Sequence, residues 1–116
     1  HCLFSAIGDQ LKRTRGPQHS HRTLRRLAAD YLRRNEDHFR DFLSLEKETF
    51  PAYCNRIERT SAWGGQHEII ALCHVLERNI EVYRHDMTTQ EFPDGAHVKP
   101  YGGPPLRLSY HMHEYN

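Results

Sequence analysis

The sequence predicts an α/β domain of the α+β type, with several helices packed on a small β-sheet. Up to about residue 76, apolar residues recur at spacings of three and four, which is typical of helices that bury one face. After Asn79 the pattern changes to the alternation of strands, at residues 80–83 and again at 106–110. With 116 residues the chain has room for one hydrophobic core, so residues 1–116 are interpreted as a single domain.

Five helical stretches are predicted. The first begins near residue 2 and ends at Gly16-Pro17, and the second runs from about Thr23 to Arg34 with its arginines facing outward. A short helix around Phe39 follows, and then a helical stretch with Pro51 in its first turn. The last helix covers about 66–76. The inward-facing residues predicted for the second helix are Leu24, Leu27, Ala28, Tyr31 and Leu32.

The two predicted strands would form a poor sheet alone. We therefore expect further strands beyond the chain ends or within residues 86–105. That stretch is rich in proline and glycine, which predicts that most of it is loop.

The charges are nearly balanced, with 16 Lys+Arg against 15 Asp+Glu and a net charge of +1. This balance argues against a nucleic-acid partner held by bulk electrostatics. Basic residues do cluster between Lys12 and Arg34, and RNA binding by them stays an alternative to a solvated helix face. No apolar run approaches the roughly 20 residues needed to cross a bilayer, so no membrane partner is expected.

Three widely spaced cysteines, Cys2, Cys54 and Cys73, do not suggest a disulfide framework. Free thiols favour a reducing compartment, the cytosol or the nucleus. Cys54 and Cys73 lie on apolar helical stripes and are interpreted as core residues. Cys2 precedes an amphipathic helix, where unpaired amides and the helix dipole favour a thiolate. From its position alone, however, the favoured interpretation of Cys2 is a small core residue.

Two motifs in the sequence carry a resemblance to a known family. The segment His1-Cys2-Leu3-Phe4-Ser5-Ala6-Ile7-Gly8-Asp9-Gln10-Leu11 is similar to the nucleophile segment of the OTU (ovarian tumour) cysteine proteases, which are deubiquitinases, with Cys2 on the catalytic cysteine. Ala62-Trp63-Gly64-Gly65-Gln66-His67-Glu68-Ile69-Ile70-Ala71-Leu72-Cys73-His74 resembles a second stretch of the family. The Trp-Gly-Gly form points to the subgroup that resembles OTU-domain protein six.

The resemblance implies a papain-related fold and a thiol-dependent deubiquitinase. Ubiquitin or polyubiquitin conjugates would be the partners, no cofactor or metal would be needed, and the protein would be a monomer. The thiolate of Cys2 would attack the carbonyl of ubiquitin's C-terminal glycine, and the amides of His1 and Cys2 would form part of the oxyanion hole. Substrate contacts are implied for Trp63, Gly64, Gly65, Gln66 and Glu68. The alternative for this loop is a structural turn in which Trp63 fills core volume.

The general base is the least determined residue of the implied site. Aligned on the family's last strands, Tyr110, His113 and Tyr115 match, and the histidine that serves as the base would follow Asn116. We therefore expect a domain cut within a motif at both ends, and weak or absent activity. The other alignment makes His113 the base, or places Glu114 where the family has its histidine.

Two further interpretations stay open. One is a catalytically inactive OTU-fold module that binds ubiquitin or acts as a scaffold. The other is a zinc site, because His111 and His113 would point to one face of a strand and could bind the metal with His97 or His85.

Overall fold

A computed structural model describes residues 2–42, 48–93, 101–111 and 114–115. The prediction of helices followed by a small sheet is confirmed. None of the helices in these ranges has the length and apolar character needed to cross a membrane. In chain order the elements are α1 (Leu3–Arg13), α2 (His21–Arg34), α3 (Glu36–Phe39), a 3₁₀ turn (Arg40–Phe42), α4 (Phe50–Arg59), α5 (Gln66–Leu76), β1 (Ile80–Arg84), β2 (Thr89–Phe92), β3 (Leu106–His111) and β4 (Glu114–Tyr115).

Local hydrogen bonds explain where two of the helices begin. The hydroxyl of Ser20 accepts a bond of 3.2 Å from the amide of Thr23 and caps α2. Thr49 caps α4 in the same way, and Pro51 occupies its first turn, where a missing N–H costs nothing. These caps fix the residues at which α2 and α4 begin.

The described strands form one sheet in the order β2-β1-β3-β4. β1 and β3 are parallel, while β2 pairs antiparallel with β1 and β4 antiparallel with β3. β2 lies within the 86–105 stretch, where an additional strand was one of the expectations. Only Phe92 of this strand is buried, so the sequence carries almost no apolar alternation to mark it.

Helix α1 is fixed from several directions. It contacts α2, β3 and β4, and its apolar side chains Leu3, Phe4, Ile7 and Leu11 are fully buried. The Oε1 atom of Gln10 also accepts a hydrogen bond of 3.0 Å from the amide of Arg107 in β3. The start of α1, which carries Cys2, therefore has a defined place in the fold.

His74 of α5 is a half-buried titratable group between two tyrosines. Its ring stacks on Tyr31 with centroids 5.5 Å apart, and its Nδ1 lies 2.7 Å from the hydroxyl of Tyr101. Burial, and then the nearby His38, lower the pKa of His74 below its ordinary value. Because the unfolded chain takes up this proton more readily, acid favours the unfolded state.

We therefore expect the free energy of unfolding to fall as the pH drops below about 6.5, the pKa of an unperturbed histidine. Urea titrations at a series of pH values from about 7.5 to 5 measure this slope. His74→Phe keeps the aromatic stack but cannot titrate, so its slope should be shallower than that of the wild type. Equal slopes for the two proteins would contradict this assignment.

Candidate active site

Cys2 is the N-cap residue of α1. Its backbone is extended (φ −81°, ψ 165°), and its carbonyl accepts the first helical hydrogen bond from the amide of Ala6 at 3.2 Å. The thiol makes no regular capping hydrogen bond, but the free amides of the first turn face it. The Oγ atom of Ser5 lies 3.6 Å from the sulfur. The sulfur thus sits at the positive end of a buried helix, on a half-buried residue.

The surroundings of Cys2 favour its thiolate. Burial, the largest single influence, raises the pKa of the thiol. The Ser5 hydroxyl, the amides of Ser5 and Phe4 and the charge of Arg25 together outweigh burial, so the pKa lies below its ordinary value. Cys2 is therefore both accessible and activated, which is the combination a nucleophilic cysteine needs.

The other two cysteines provide an internal contrast. Cys54 and Cys73 are fully buried, which confirms their assignment to the core. Burial raises the pKa of Cys54 to about 11 and that of Cys73 to about 12. Among the three thiols, only Cys2 combines partial exposure with a lowered pKa.

Arg25 of α2 is a site residue that the sequence analysis missed. The prediction that the arginines of this helix face outward is wrong here, because Arg25 is only 5% exposed. Its Nη2 lies 3.9 Å from the sulfur of Cys2, and its Nη1 donates a hydrogen bond of 3.0 Å to the carbonyl of Ile57. The guanidinium also stands 4.5 Å above the ring of Phe4. Arg25 therefore places a buried positive charge beside the candidate nucleophile, Cys2.

A signal for Arg25 was present in the helical spacing. The residues buried along this side of α2 are Arg25, Ala28, Ala29 and Leu32, at intervals of three and four. Arginine was assigned to the surface because it is rarely buried without a partner. The partners here are a backbone carbonyl, an aromatic ring and a thiol, which are contacts that composition and spacing do not reveal.

The loop before α5 packs directly on the nucleophile helix. A Cβ atom added to Gly64 would lie 2.5 Å from Cδ2 of Leu3 and 3.1 Å from Cε2 of Phe4. Only a glycine allows this close approach. Trp63, by contrast, is 52% exposed, so the alternative in which it fills core volume is wrong. Gln66, the first residue of α5, is also exposed.

Glu68 holds this loop in place. Its side chain is 1% exposed, and its Oε1 accepts a hydrogen bond of 2.7 Å from the amide of Gly65. Its Oε2 accepts a hydrogen bond of 2.6 Å from the hydroxyl of Tyr53 in α4. Burial, and then the Glu68 carboxylate, raise the pKa of Tyr53 well above its usual value. Both oxygens of Glu68 are engaged inside the protein, so this residue positions the loop, and its contact with a substrate stays a prediction.

Three of the predicted site residues fall outside the described part of the chain, namely His1, His97 and His113. His85 and His111 do approach each other, with ring centroids 5.6 Å apart. Within the described ranges, no cluster of three or more histidine, cysteine or acidic side chains could hold a metal ion. Within the described part of the chain, the side-chain partners of the Cys2 sulfur are Ser5 and Arg25. Neither is a histidine, so the identity of the general base stays a prediction.

Comparison with known proteins agrees with this geometry. The family model described as OTU-like cysteine protease matches residues 1–116. The chain belongs to the OTU family. Within it, the chain is 38% identical over 125 residues to the chicken (Gallus gallus) protein "Deubiquitinase OTUD6B", and the match covers 99% of this chain. It is 32% identical over 110 residues to the rat (Rattus norvegicus) "OTU domain-containing protein 5", with 95% of this chain covered.

Solved OTU structures share the fold. The "Structure of Ovarian Tumor (OTU) domain in complex with Ubiquitin" matches with a TM-score of 0.76 at 23% identity, over 98% of this chain and 60% of that one. The "Structure of OTUD1 OTU domain" matches with a TM-score of 0.72 at 20% identity, over 98% and 75% of the two chains. The predicted OTU-like fold is thereby confirmed. The chain spans 38% of the chicken relative and 18% of the rat relative.

Proposed function

We propose that this OTU domain hydrolyses isopeptide bonds at the C-terminus of ubiquitin, with Cys2 as the nucleophile. One observation carries the proposal. In a chain of the OTU-like cysteine protease family, the single half-buried thiol lies at a helix N-terminus beside a buried arginine, and its pKa is lowered. Support also comes from relatives named as deubiquitinases and from an OTU structure solved with ubiquitin.

The proposed chemistry proceeds in two stages. The Cys2 thiolate attacks the carbonyl carbon of the isopeptide bond, and the amide of Cys2 donates a hydrogen bond to the oxyanion that forms. An imidazole protonates the lysine amine as it leaves, and water then hydrolyses the thioester. Either His113 or a residue after Asn116 would supply this imidazole. The exposed Trp63, next to a glycine that packs on α1, is well placed to contact the ubiquitin tail.

The proposed chemistry requires Cys2 to stay reduced, so we also propose a reducing compartment for the protein. The three cysteines are free thiols, which is compatible with the cytosol or the nucleus.

The proposal is tested with ubiquitin that carries a C-terminal vinyl electrophile. We expect one covalent adduct, which peptide mapping places on Cys2 and not on Cys54 or Cys73. The labelling rate should rise with pH. The pH at which it reaches half of its maximum should lie below about 8.5, the pKa of an ordinary cysteine. Addition to the electrophile consumes only the thiolate, so this measurement does not depend on the general base.

Ubiquitin without the electrophile, and the Cys2→Ala chain, serve as controls, with circular dichroism to establish folding. An adduct on a buried cysteine, or no adduct on a folded chain, would reject Cys2 as the nucleophile. A folded chain that binds ubiquitin without being labelled would instead support the non-catalytic module.

A further inference from the structure

A basic groove lies between the start of α2 and the end of α4. Its volume is about 650 Å³. Four arginines, one from the end of α4 and three from the first turns of α2, line it together with one acidic residue, Glu58. The arginines are Arg22, Arg25, Arg26 and Arg59. We call this feature the arginine groove.

The positive charge of the arginine groove is largely uncompensated. Glu58 is engaged by Arg33 of α2 at 2.6 Å, and it also lies 3.6 Å from Arg59. Across the described ranges, no carboxylate lies within ion-pairing distance of Arg22, Arg25 or Arg26. Neighbouring like charges repel each other, and an anion between them would relieve that repulsion.

The helix that carries these arginines adds to the effect. The first turn of α2 contains no acidic residue, although the dipole of a helix favours negative charge at its N-terminus. Arginines at this end interact unfavourably with the dipole, so they lower the stability of the helix somewhat. An anionic ligand would interact favourably with both the arginines and the helix end.

Arg25 links the arginine groove to the proposed nucleophile. Arg25 lines the groove, and its Nη2 lies 3.9 Å from the sulfur of Cys2. Arg25 is also the most deeply buried of the four arginines, which fixes the inner end of the groove at the reaction centre. A polypeptide whose isopeptide bond reaches Cys2 therefore has neighbouring residues within reach of the groove.

We propose that the arginine groove binds acidic side chains of the protein to which ubiquitin is attached, and so selects conjugates with acidic residues near the modified lysine. This inference rests on the proposed function. A nucleic acid fits the groove less well, because no tryptophan, tyrosine or phenylalanine lines it to stack on bases, and the chain carries a net charge of only +1.

Fluorescence anisotropy tests the proposal with a short fluorescein-labelled peptide rich in glutamate and a twin in which glutamine replaces each glutamate. We expect the acidic peptide to bind at least about tenfold more tightly than its twin, and to weaken as salt is raised. The triple variant Arg22→Gln, Arg26→Gln, Arg59→Gln should lose about tenfold in affinity for it. The control triple variant Lys12→Gln, Arg13→Gln, Arg34→Gln loses the same charge away from the groove and should bind like the wild type.

Three outcomes would overturn the proposal. One is equal binding of the two peptides, another is an equal loss in the two triple variants, and the third is tighter binding of a single-stranded oligonucleotide that the groove variant loses. Labelling of the wild type by the ubiquitin electrophile is measured alongside. If the ubiquitin electrophile labels Cys2 but the acidic peptide binds no better than its twin, only the proposed role of the arginine groove is rejected. If the acidic peptide binds selectively but Cys2 is not labelled, the proposed function is rejected.

Discussion

Replacing Gly64 with alanine is expected to destabilise the domain by about 1–3 kcal/mol, the usual cost of forcing an extra carbon into a packed interior. The new Cβ would stand 2.5 Å from Leu3 and 3.1 Å from Phe4. Both side chains are fully buried, so neither can move aside freely. Because Leu3 and Phe4 form the first turn of α1, their displacement should also move Cys2 and slow its labelling by the ubiquitin electrophile.

Gly65→Ala is the matched control for this prediction. A Cβ at Gly65 would meet its nearest atom, Oε1 of Glu68, at an ordinary 3.7 Å, and its φ of −135° suits any residue. Urea unfolding and labelling rates should therefore change much less than for Gly64→Ala. If both variants behave alike, the tight contact between the loop and α1 is not what holds Cys2.

Replacing Arg25 with methionine is expected to raise the pKa of the Cys2 thiol. Methionine keeps much of the packing on Phe4, but it removes the positive charge that lies 3.9 Å from the sulfur. A raised pKa leaves less thiolate at pH values below it, so alkylation of Cys2 should slow in that range. The rate of Cys2 alkylation by iodoacetamide, followed from about pH 5 to 10, measures this shift.

Arg25→Lys separates the charge from the packing. Lysine keeps a cation near the sulfur but cannot reproduce the planar fork that bonds the Ile57 carbonyl and faces Cys2 together. The alkylation midpoint of the lysine variant should lie between those of the wild type and the methionine variant. An unchanged midpoint in Arg25→Met, with the fold intact by circular dichroism, would show that Ser5 and the helix amides alone activate the thiol.

The helices α1 and α2 were predictable because each has a broad apolar face. In α1 the spacing of Leu3, Phe4, Ile7 and Leu11 indicates a helix whatever its partners are, and the structure buries all four. The capping residues Ser20 and Thr49 then determine where α2 and α4 begin. Such features are local, so a single sequence contains them.

The contacts between distant segments were not predictable in this way. Arg25 looks like a surface arginine until its neighbours Ile57, Phe4 and Cys2 are known. Both glycines after Trp63 were interpreted as substrate contacts, and nothing in the sequence separated one from the other. Only the packing of the loop against α1 distinguishes Gly64 from Gly65.

The hydrogen bond from Arg107 to Gln10 joins positions 97 residues apart. Helix α1, which begins next to Cys2, therefore packs against β3, a strand that is distant from it in the sequence. Closing so large a loop costs entropy, and contacts between the two distant segments must offset this cost. We therefore expect the lowered pKa of Cys2 to be lost in a partly folded molecule. The rate at which Cys2 reacts would then report on the cooperative folding of the whole domain.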